Sequence, residues 1–381
     1  MKIAFIGQKG IPAKSGGVEN HVENLAVELA QKGHTVFVYV RNNYTDKNLM
    51  EYKGVKLIHL PSIPTKNLDA ISHTFFAIVH AIFQKYDVVH FHSIGPNSLN
   101  FLIKIFKPKT ALIATYHCQD YLHQKWGAFA RAYLKLGEYM TCKITDKTIV
   151  VTKTLQKFVR DKFKKETVVI PSGVRVAKNA NTNELEKWGL KENEYIISVS
   201  RLIRHKGIHY LIEAFKNLED RNLTGGKKLV IVGDGFYTSD YVAELKKIAE
   251  VSKNIIFVGA QNGEALSQLF SHSYLFVQPS NFEGLSIALL EAMAYGKAVL
   301  VSDIAENVEA VAEAGVLFKQ GDVVDLENKL AELIGNQERV NALAQAGKER
   351  AEKLYNWNEL AYKIENVYKE AINRKNKNNR N

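Results

Sequence analysis

The chain of 381 residues is 46% hydrophobic and 24% charged, proportions that exclude a fibrous or largely disordered protein, and its length suits two domains. Its formal charge is +11, unevenly placed: residues 1–173 hold 24 basic and 12 acidic side chains, and residues 174–381 hold 27 and 28. An anionic partner for the first half alone explains that asymmetry, whether a membrane surface, a phosphorylated substrate or a nucleic acid, and so does a lysine-rich surface kept for solubility.

Met1-Lys2 leads straight into the apolar run 3–7, without the long hydrophobic stretch of a secretory leader. Cys118 and Cys142 are too few for a disulfide framework, which suits a reducing compartment. The longest strongly apolar stretch, 74–83, is interrupted by His80 and is far shorter than the roughly 20 residues that span a bilayer. The expected location is the cytoplasm, free or peripheral on the cytosolic face of a membrane.

Short β-branched runs at 3–7, 35–40, 55–60, 88–93, 111–116 and 148–152 alternate with segments of helical period, and 168–170 is a candidate seventh. The same rhythm resumes at 195–200, 228–233, 255–259, 275–280, 298–303 and 315–318. This is the pattern of βαβ units on parallel sheets buried on both faces. It predicts an α/β protein of two Rossmann-like, doubly wound domains, 1–172 and 193–372, facing across a cleft and joined by a linker at 173–192. The polar tail 373–381 is expected to be disordered.

The exit of the first strand is a long loop containing Gly7, Gly10, Gly16 and Gly17 that opens onto a helix over 22–31. Free N–H groups at a helix N-terminus attract phosphate and glycines admit it closely, although glycines also serve a plain turn. The dinucleotide fingerprint is missing, since there is no Gly-x-Gly-x-x-Gly and no acidic residue at the end of the second strand, which disfavours an NAD enzyme. In the second half, Arg201 and Lys206 lie in a loop between a strand and a helix. A guanidinium fork and a mobile ammonium there suit a diphosphate, the alternative being a solvated basic loop. The third element runs from Pro279 through Glu283, Gly284, Leu285 and Ser286 into a helix over 287–295 that carries Glu291. Were it helical throughout, the two carboxylates would be about 12 Å apart along the axis. Glycosidase carboxylates need roughly 5 to 9.5 Å, so this pair suits two parts of one long ligand.

Glu-x7-Glu from Glu283 to Glu291, within Pro-Ser-Asn-Phe-Glu-Gly-Leu-Ser-Ile-Ala-Leu-Leu-Glu, resembles the signature of retaining GT-B glycosyltransferases of the family 4 type (glycosyl transferases group 1). Gly16-Gly17-Val18-Glu19, Pro171-Ser172-Gly173-Val174, Ser200-Arg201-Leu202 with Lys206-Gly207, and Val232-Gly233-Asp234-Gly235 join it in the expected order. The opening Gly7–Gly17 segment resembles a rhamnosyltransferase-like subgroup. Ser172 stands where the family often has Asn, a change of little expected consequence.

The resemblance implies transfer of a sugar from a nucleotide-sugar donor, with retention, to a cell-envelope, polysaccharide or lipid-linked acceptor held by the first domain. It implies that Arg201 and Lys206 hold the diphosphate with the Gly16-Gly17 loop, Glu291 the ribose and Glu283 the sugar hydroxyls. Gly233, the backbone of Gly259 and Ala260, and the Gly284-Leu285-Ser286 turn complete the donor site. His117 resembles the family histidine near the reacting sugar, and the C-terminal helices 342–354 and 359–374 are expected to return to the first domain. No Asp-x-Asp occurs, so no metal and no cofactor is expected. Lys125, Trp126, Phe129 and Arg131 open a segment, 123–143, that interleaves aromatic and basic residues and is a candidate membrane or acceptor face. Segment 67–86 is either core or membrane-facing. A GT-B epimerase or phosphorylase is the enzymatic alternative. A basic nucleic-acid or membrane-binding protein is the other, with nucleic acid disfavoured because none of its usual motifs is present.

Overall fold

A computed structural model of the protein describes residues 1–14, 16–65, 68–122, 126–176, 179–235 and 238–378. The chain divides into two compact units, Met1–Gly173 with Trp357–Asn381, and Val174–Asn356.

The first unit is an eight-stranded sheet made of β1 (Lys2–Ile6), β2 (Thr35–Arg41), β3 (Glu51–Tyr52), β4 (Val55–Leu60), β5 (Val88–His92), β6 (Ala111–Tyr116), β7 (Lys147–Val150) and β8 (Val168–Val169). Their order is β3-β4-β2-β1-β5-β6-β7-β8, parallel except for the β3–β4 pair. Along β1, Ile3 and Phe5 enter one core with Val22, Leu25 and Val36, while Ala4 and Ile6 enter another with Ile78, Phe91 and Ile103. Period-two alternation thus buries both faces, the physical reason the strands read as unbroken apolar runs. The two-residue strand β3 escapes the sequence pattern because it is polar and reaches β4 through a tight turn at Lys53 and Gly54, both at positive φ.

The second unit is a six-stranded parallel sheet of β9 (Tyr195–Val199), β10 (Lys228–Val232), β11 (Ile255–Gly259), β12 (Leu275–Gln278), β13 (Ala298–Ser302) and β14 (Val316–Phe318), ordered β11-β10-β9-β12-β13-β14. Ile196 packs on one face, and Tyr195 and Ile197 on the other. In each sheet the chain winds outward from a first strand and then restarts on its other side. The reversals fall between β1 and β5 and between β9 and β12, and ligands of such sheets gather beyond the carboxyl ends of the strands at those points.

Three expectations need correction. Residues 173–192 are not a bare linker, because a short helix, Asn183–Glu186, forms there and Leu185 and Leu190 are buried in the core of the second unit. The tail is ordered further than its composition suggests. The last helix runs Trp357–Asn378, so 373–378 are helical, and only 379–381 of the expected disordered segment lie outside the described residues. Of the two C-terminal helices, only this last one joins the first unit, where Trp357, Leu360, Ile364 and Tyr368 pack with Ile3 and Val22. The preceding helix, Gln337–Leu354, stays with the second, its Gly347 set against Met293. With that division, the first unit holds 30 basic and 15 acidic side chains and the second 21 and 25.

The candidate membrane segments split their faces. The helix Ala128–Lys143 turns Leu134, Glu138 and Cys142 inward. Tyr133 bonds inward to Ser98, and Trp126 packs on the core, which leaves Phe129, Arg131 and Leu136 exposed. Trp126 and Tyr133 therefore do not share the expected outer face, and Lys125 lies outside the described residues. The helix Asp69–Ile82 likewise buries Ala77, Ile78 and Ala81 and exposes Phe75, Phe76 and Val79.

Candidate active site

At the first switch point β1 ends at Gly7, whose φ of 120° and contact with the His92 carbonyl leave no room for a Cβ. The loop that follows is tied to the next helix, which begins at Gly17, five residues before the sequence suggests. Lys9 N–H donates to Glu19 Oε1 at 3.1 Å and Ala13 N–H to Glu23 Oε2 at 2.5 Å. Gly16, at φ 101°, caps that helix with no side-chain hydrogen bond, and the Glu19 carboxylate lies against it. The helix N-terminus thus already faces a carboxylate from its own first turn, which its dipole favours.

Beside this loop stand four imidazoles. His90 and His92 alternate on β5, His117 follows β6, and His21 projects from the helix Gly17–Gln31. His92 Nδ1 and His117 Nε2 share a hydrogen bond of 3.1 Å, and His21 Nδ1 shares one of 3.0 Å with Ser172 Oγ. His90 contacts Tyr368 OH at 2.7 Å and Thr115 Oγ1 at 2.8 Å, and the Trp357 ring meets His21 edge-on with centroids 5.1 Å apart. Burial and then repulsion between the imidazoles hold His21 and His92 well below the ordinary histidine range; His90 lies as low, through burial and His117. His117 falls to about 4 through burial. All four are neutral at pH 7. His117 is 8% exposed against 0–1% for the others, which makes it the most accessible of the four.

His21, His92 and His117 could each offer a metal one nitrogen, the three lying within 4.8 Å of one another, but the closest pair is engaged in its own hydrogen bond. Ser172, expected to matter little, is the hydroxyl that holds His21. Sequence reading also passed over His21 and His92. The alternation of two histidines inside a buried strand was the available signal, since apolar strands carry imidazoles at the cost of desolvating them.

At the second switch point, Arg201 and Lys206 follow β9 and Glu283 follows β12. Lys206 Nζ lies 2.6 and 2.7 Å from the two Glu283 oxygens, and Ser280 Oγ donates to Oε1 at 2.6 Å. Gly207, at φ 68°, makes this approach possible, because a Cβ there would collide with the Pro279 carbonyl oxygen. Arg201 is exposed and makes no ion pair with a described residue. Gly233 N–H donates to the Gly259 carbonyl at 2.8 Å, joining the exits of β10 and β11 beside exposed Ala260. Glu283 precedes the helix Ile287–Ala294, so the two carboxylates are not on one helix. Burial pushes Glu291 up to about 7, and its carboxyl makes no hydrogen bond to a described residue.

A buried polar chain that no local sequence pattern marks supports this loop. Ser286 Oγ caps Leu289 N–H at 3.4 Å and donates to Gln278 Oε1 at 2.5 Å; Gln278 Nε2 donates to Asn307 Oδ1 at 3.0 Å. Asn307 Nδ2 donates to the Ser302 carbonyl at 3.1 Å, and Ser302 Oγ to the Ser280 carbonyl at 2.5 Å. Both ends of the 280–286 turn, with Gly284 and Leu285 between, are thereby fixed to β12, β13 and the helix Ala305–Val311. A cation pair, a helix N-terminus and two separate carboxylates at a switch point suit a phosphorylated ligand with several hydroxyls.

Comparison with known proteins agrees with this class. Residues 15–178 match the family profile described as Glycosyltransferase Family 4, and residues 181–350 match that described as Glycosyl transferases group 1. An uncharacterised glycosyltransferase of Methanocaldococcus jannaschii is 27% identical over 98% of this chain and 99% of its own. A UDP-Gal:alpha-D-GlcNAc-diphosphoundecaprenol alpha-1,3-galactosyltransferase of Escherichia coli is 28% identical over 65% of this chain and 66% of its own. Among solved structures, sucrose-phosphate synthase from Thermosynechococcus elongatus superposes with a TM-score of 0.81 at 22% identity, covering 97% of this chain and 98% of that one. HepE of Anabaena in complex with UDP-glucose gives 0.80 at 19% identity, over 97% and 100%. The chain belongs to the family 4, group 1 glycosyltransferases, and its fold is GT-B.

Proposed function

We propose that this enzyme transfers a hexose from a UDP-sugar, with retention and without a metal ion, to a lipid-linked or polysaccharide acceptor of the cell envelope. The carrying observation is the Lys206–Glu283 contact beside Arg201 at the β9/β12 switch point. Two of the three Lys206 ammonium protons go to Glu283, which leaves the third, with the Arg201 fork, for diphosphate oxygens. The UDP-glucose complex of the HepE relative and the diphosphoundecaprenol acceptor of the Escherichia coli relative support the choice of donor and acceptor.

In this reading Glu283 accepts hydroxyls of the donor sugar and Glu291 those of the ribose. Gly233, Gly259, Ala260 and the 284–286 turn line the donor in the second unit, and Gly16, Gly17 and neutral His117 are the first unit's own candidate groups for the reaction. As the bond from the anomeric carbon to the diphosphate oxygen breaks, negative charge grows on the leaving group, where Arg201 and Lys206 stabilise it. The acceptor hydroxyl forms the new bond on the same face and passes its proton to the departing phosphate oxygen. The protein works peripherally at the cytosolic face of a membrane, and nucleic acid is not its partner.

A thermal-shift series with UDP, GDP, ADP and dTDP tests the donor site, and selective stabilisation by UDP is expected. Proton NMR of the first product gives the anomeric configuration. An inverted product, or loss of activity with EDTA, would reject the corresponding part of the mechanism.

A further inference from the structure

The four imidazoles of the first unit are unequally provided with partners. His90 uses both ring nitrogens, on Tyr368 OH and Thr115 Oγ1, and His21 uses Nδ1 on Ser172 Oγ. His92 has one hydrogen bond, between its Nδ1 and His117 Nε2 at 3.1 Å, and its Nε2 is buried with no partner among the described residues. The rings of Phe5, His90 and His21 stand around it, with centroids 5.4, 4.2 and 5.5 Å from its own. His90, the nearest of them, has no nitrogen left to serve it.

A neutral imidazole carries one proton, on one of its two nitrogens. Burial keeps His92 and His117 neutral, so the bond between them takes one of two forms. With its proton on Nε2, His92 would bury an N–H among rings that offer no acceptor, and His117 would have to donate from its own Nε2. With its proton on Nδ1, His92 donates to His117 Nε2 and leaves only a lone pair without a partner. Buried N–H groups without a partner are rarer than buried acceptors without one, so the second form is favoured.

The proton of His92 thereby fixes that of His117, because the bond made by one ring nitrogen decides what the other carries. When His117 Nε2 accepts, its proton lies on Nδ1. That nitrogen makes no hydrogen bond to a described residue, and it belongs to the most accessible of the four rings. What His117 offers a ligand is then an N–H donor, with its one lone pair already committed to His92.

We propose that His92 is a positioning residue for the reaction: its Nδ1–H donates to His117 Nε2 and so holds His117 as a hydrogen-bond donor, through Nδ1–H, to a ligand oxygen. The inference rests on the reading of His117 as a group of the reaction and states what it does there. In this form His117 is not a base, and the acceptor's proton is left to the departing phosphate oxygen.

The test is nitrogen–proton NMR of the whole protein with isotope-labelled imidazoles, which needs no substrate. Wild type is expected to show both His92 and His117 protonated on Nδ1 alone, and this spectrum decides the place of the proton even where a variant fails to fold. In His92→Phe nothing serves His117 Nε2, so the ring is expected to turn and to show both protonated forms. His92→Asn, whose amide N–H replaces Nδ1–H, is expected to keep the wild-type form, as is Ser172→Ala, which releases only His21. Release of UDP from UDP-glucose supplies the kinetic arm. His92→Phe should lower kcat about tenfold with KM nearly unchanged, and His92→Asn should recover most of the loss. The double variant H92F/H117A should be no slower than His117→Ala. His117 protonated on Nε2, a single unchanged form in His92→Phe, or a form that Ser172→Ala alters as much overturns the proposal. Losses that multiply in the double variant show a merely structural His92 and overturn it too. Wild-type kcat in His117→Ala removes His117 from the reaction, and with it the role of His92, whatever form the spectrum shows.

Discussion

At the switch point of the first sheet stand four buried imidazoles, kept neutral by desolvation and mutual repulsion. At that of the second sheet stand exposed Arg201 and the Lys206–Glu283 ion pair, which joins two loops, with Glu291 pushed up to about 7. The backbone plan is shared, so the difference lies in what the strand ends carry. The second site is fitted to stabilise charge and the first to position groups without adding any. The overall balance runs the other way, the first unit being the basic one.

The largest effect is expected from the second unit's charges. Lys206→Ala and Glu283→Gln should each lower kcat by about 10²–10³, because they remove transition-state stabilisation of the kind given by preorganised charges. His117→Ala should cost less, about tenfold to a hundredfold, as befits a neutral polar contact. Steady-state kinetics on all three orders the two sites, and a His117 variant more damaged than Lys206→Ala would reverse the comparison.

Acid separates the units next. A histidine free in the unfolded chain takes up a proton below about pH 6.5, whereas these buried ones refuse it, His117 down to about 4. Their contribution to stability is complete above pH 6.5 and is lost as pH falls toward 4, by about 1 kcal/mol or more per histidine. Glu291 has the opposite sign. Raised from the usual carboxylate range to about 7, it stabilises below that range and loses the contribution as pH rises through 7. Hydrogen exchange read by mass spectrometry between pH 7 and 4.5 should show protection failing first in β5 and β6. Uniform loss across both sheets would remove the histidines as the cause.

A smaller effect concerns Glu291 and the donor. On the proposed reading the ionised carboxyl accepts both ribose hydroxyls, so UDP affinity should rise severalfold more from pH 6 to 8 in wild type than in Glu291→Gln, which calorimetry can follow. A comparable effect concerns Asn307, which touches none of the proposed ligand groups. Asn307→Ala should cost about 1–3 kcal/mol of stability, because Gln278 and Ser302 lose their partner. It should lower kcat about tenfold through misplacement of Glu283. Unchanged kcat in a destabilised enzyme would make the chain structural only.

Which residues were legible follows from the same physics. Strands such as Tyr195–Val199 and the Pro279–Glu291 motif are local patterns, visible without partners. The histidine cluster, the Gln278–Asn307 chain and the turn of Ser172 toward His21 join residues up to 151 positions apart, and no local period marks such pairs. The last helix shows the limit most clearly. Its composition past 372 is that of a disordered tail, yet Lys375 is held by Asp146 and Pro108, contacts that exist only once β6 and β7 are in place.

By itself the sequence determined two doubly wound domains and the family, because buried parallel strands require continuous apolar runs and a phosphate-binding turn requires its glycines and cations close together in the chain. Only the tertiary structure decided which ionisable groups stay charged and where the apolar side chains of an amphipathic helix face. Desolvation and pairing depend on what packs from elsewhere in the fold, so the same residue type is a fully buried neutral imidazole at His92 and a partly exposed ring at His80.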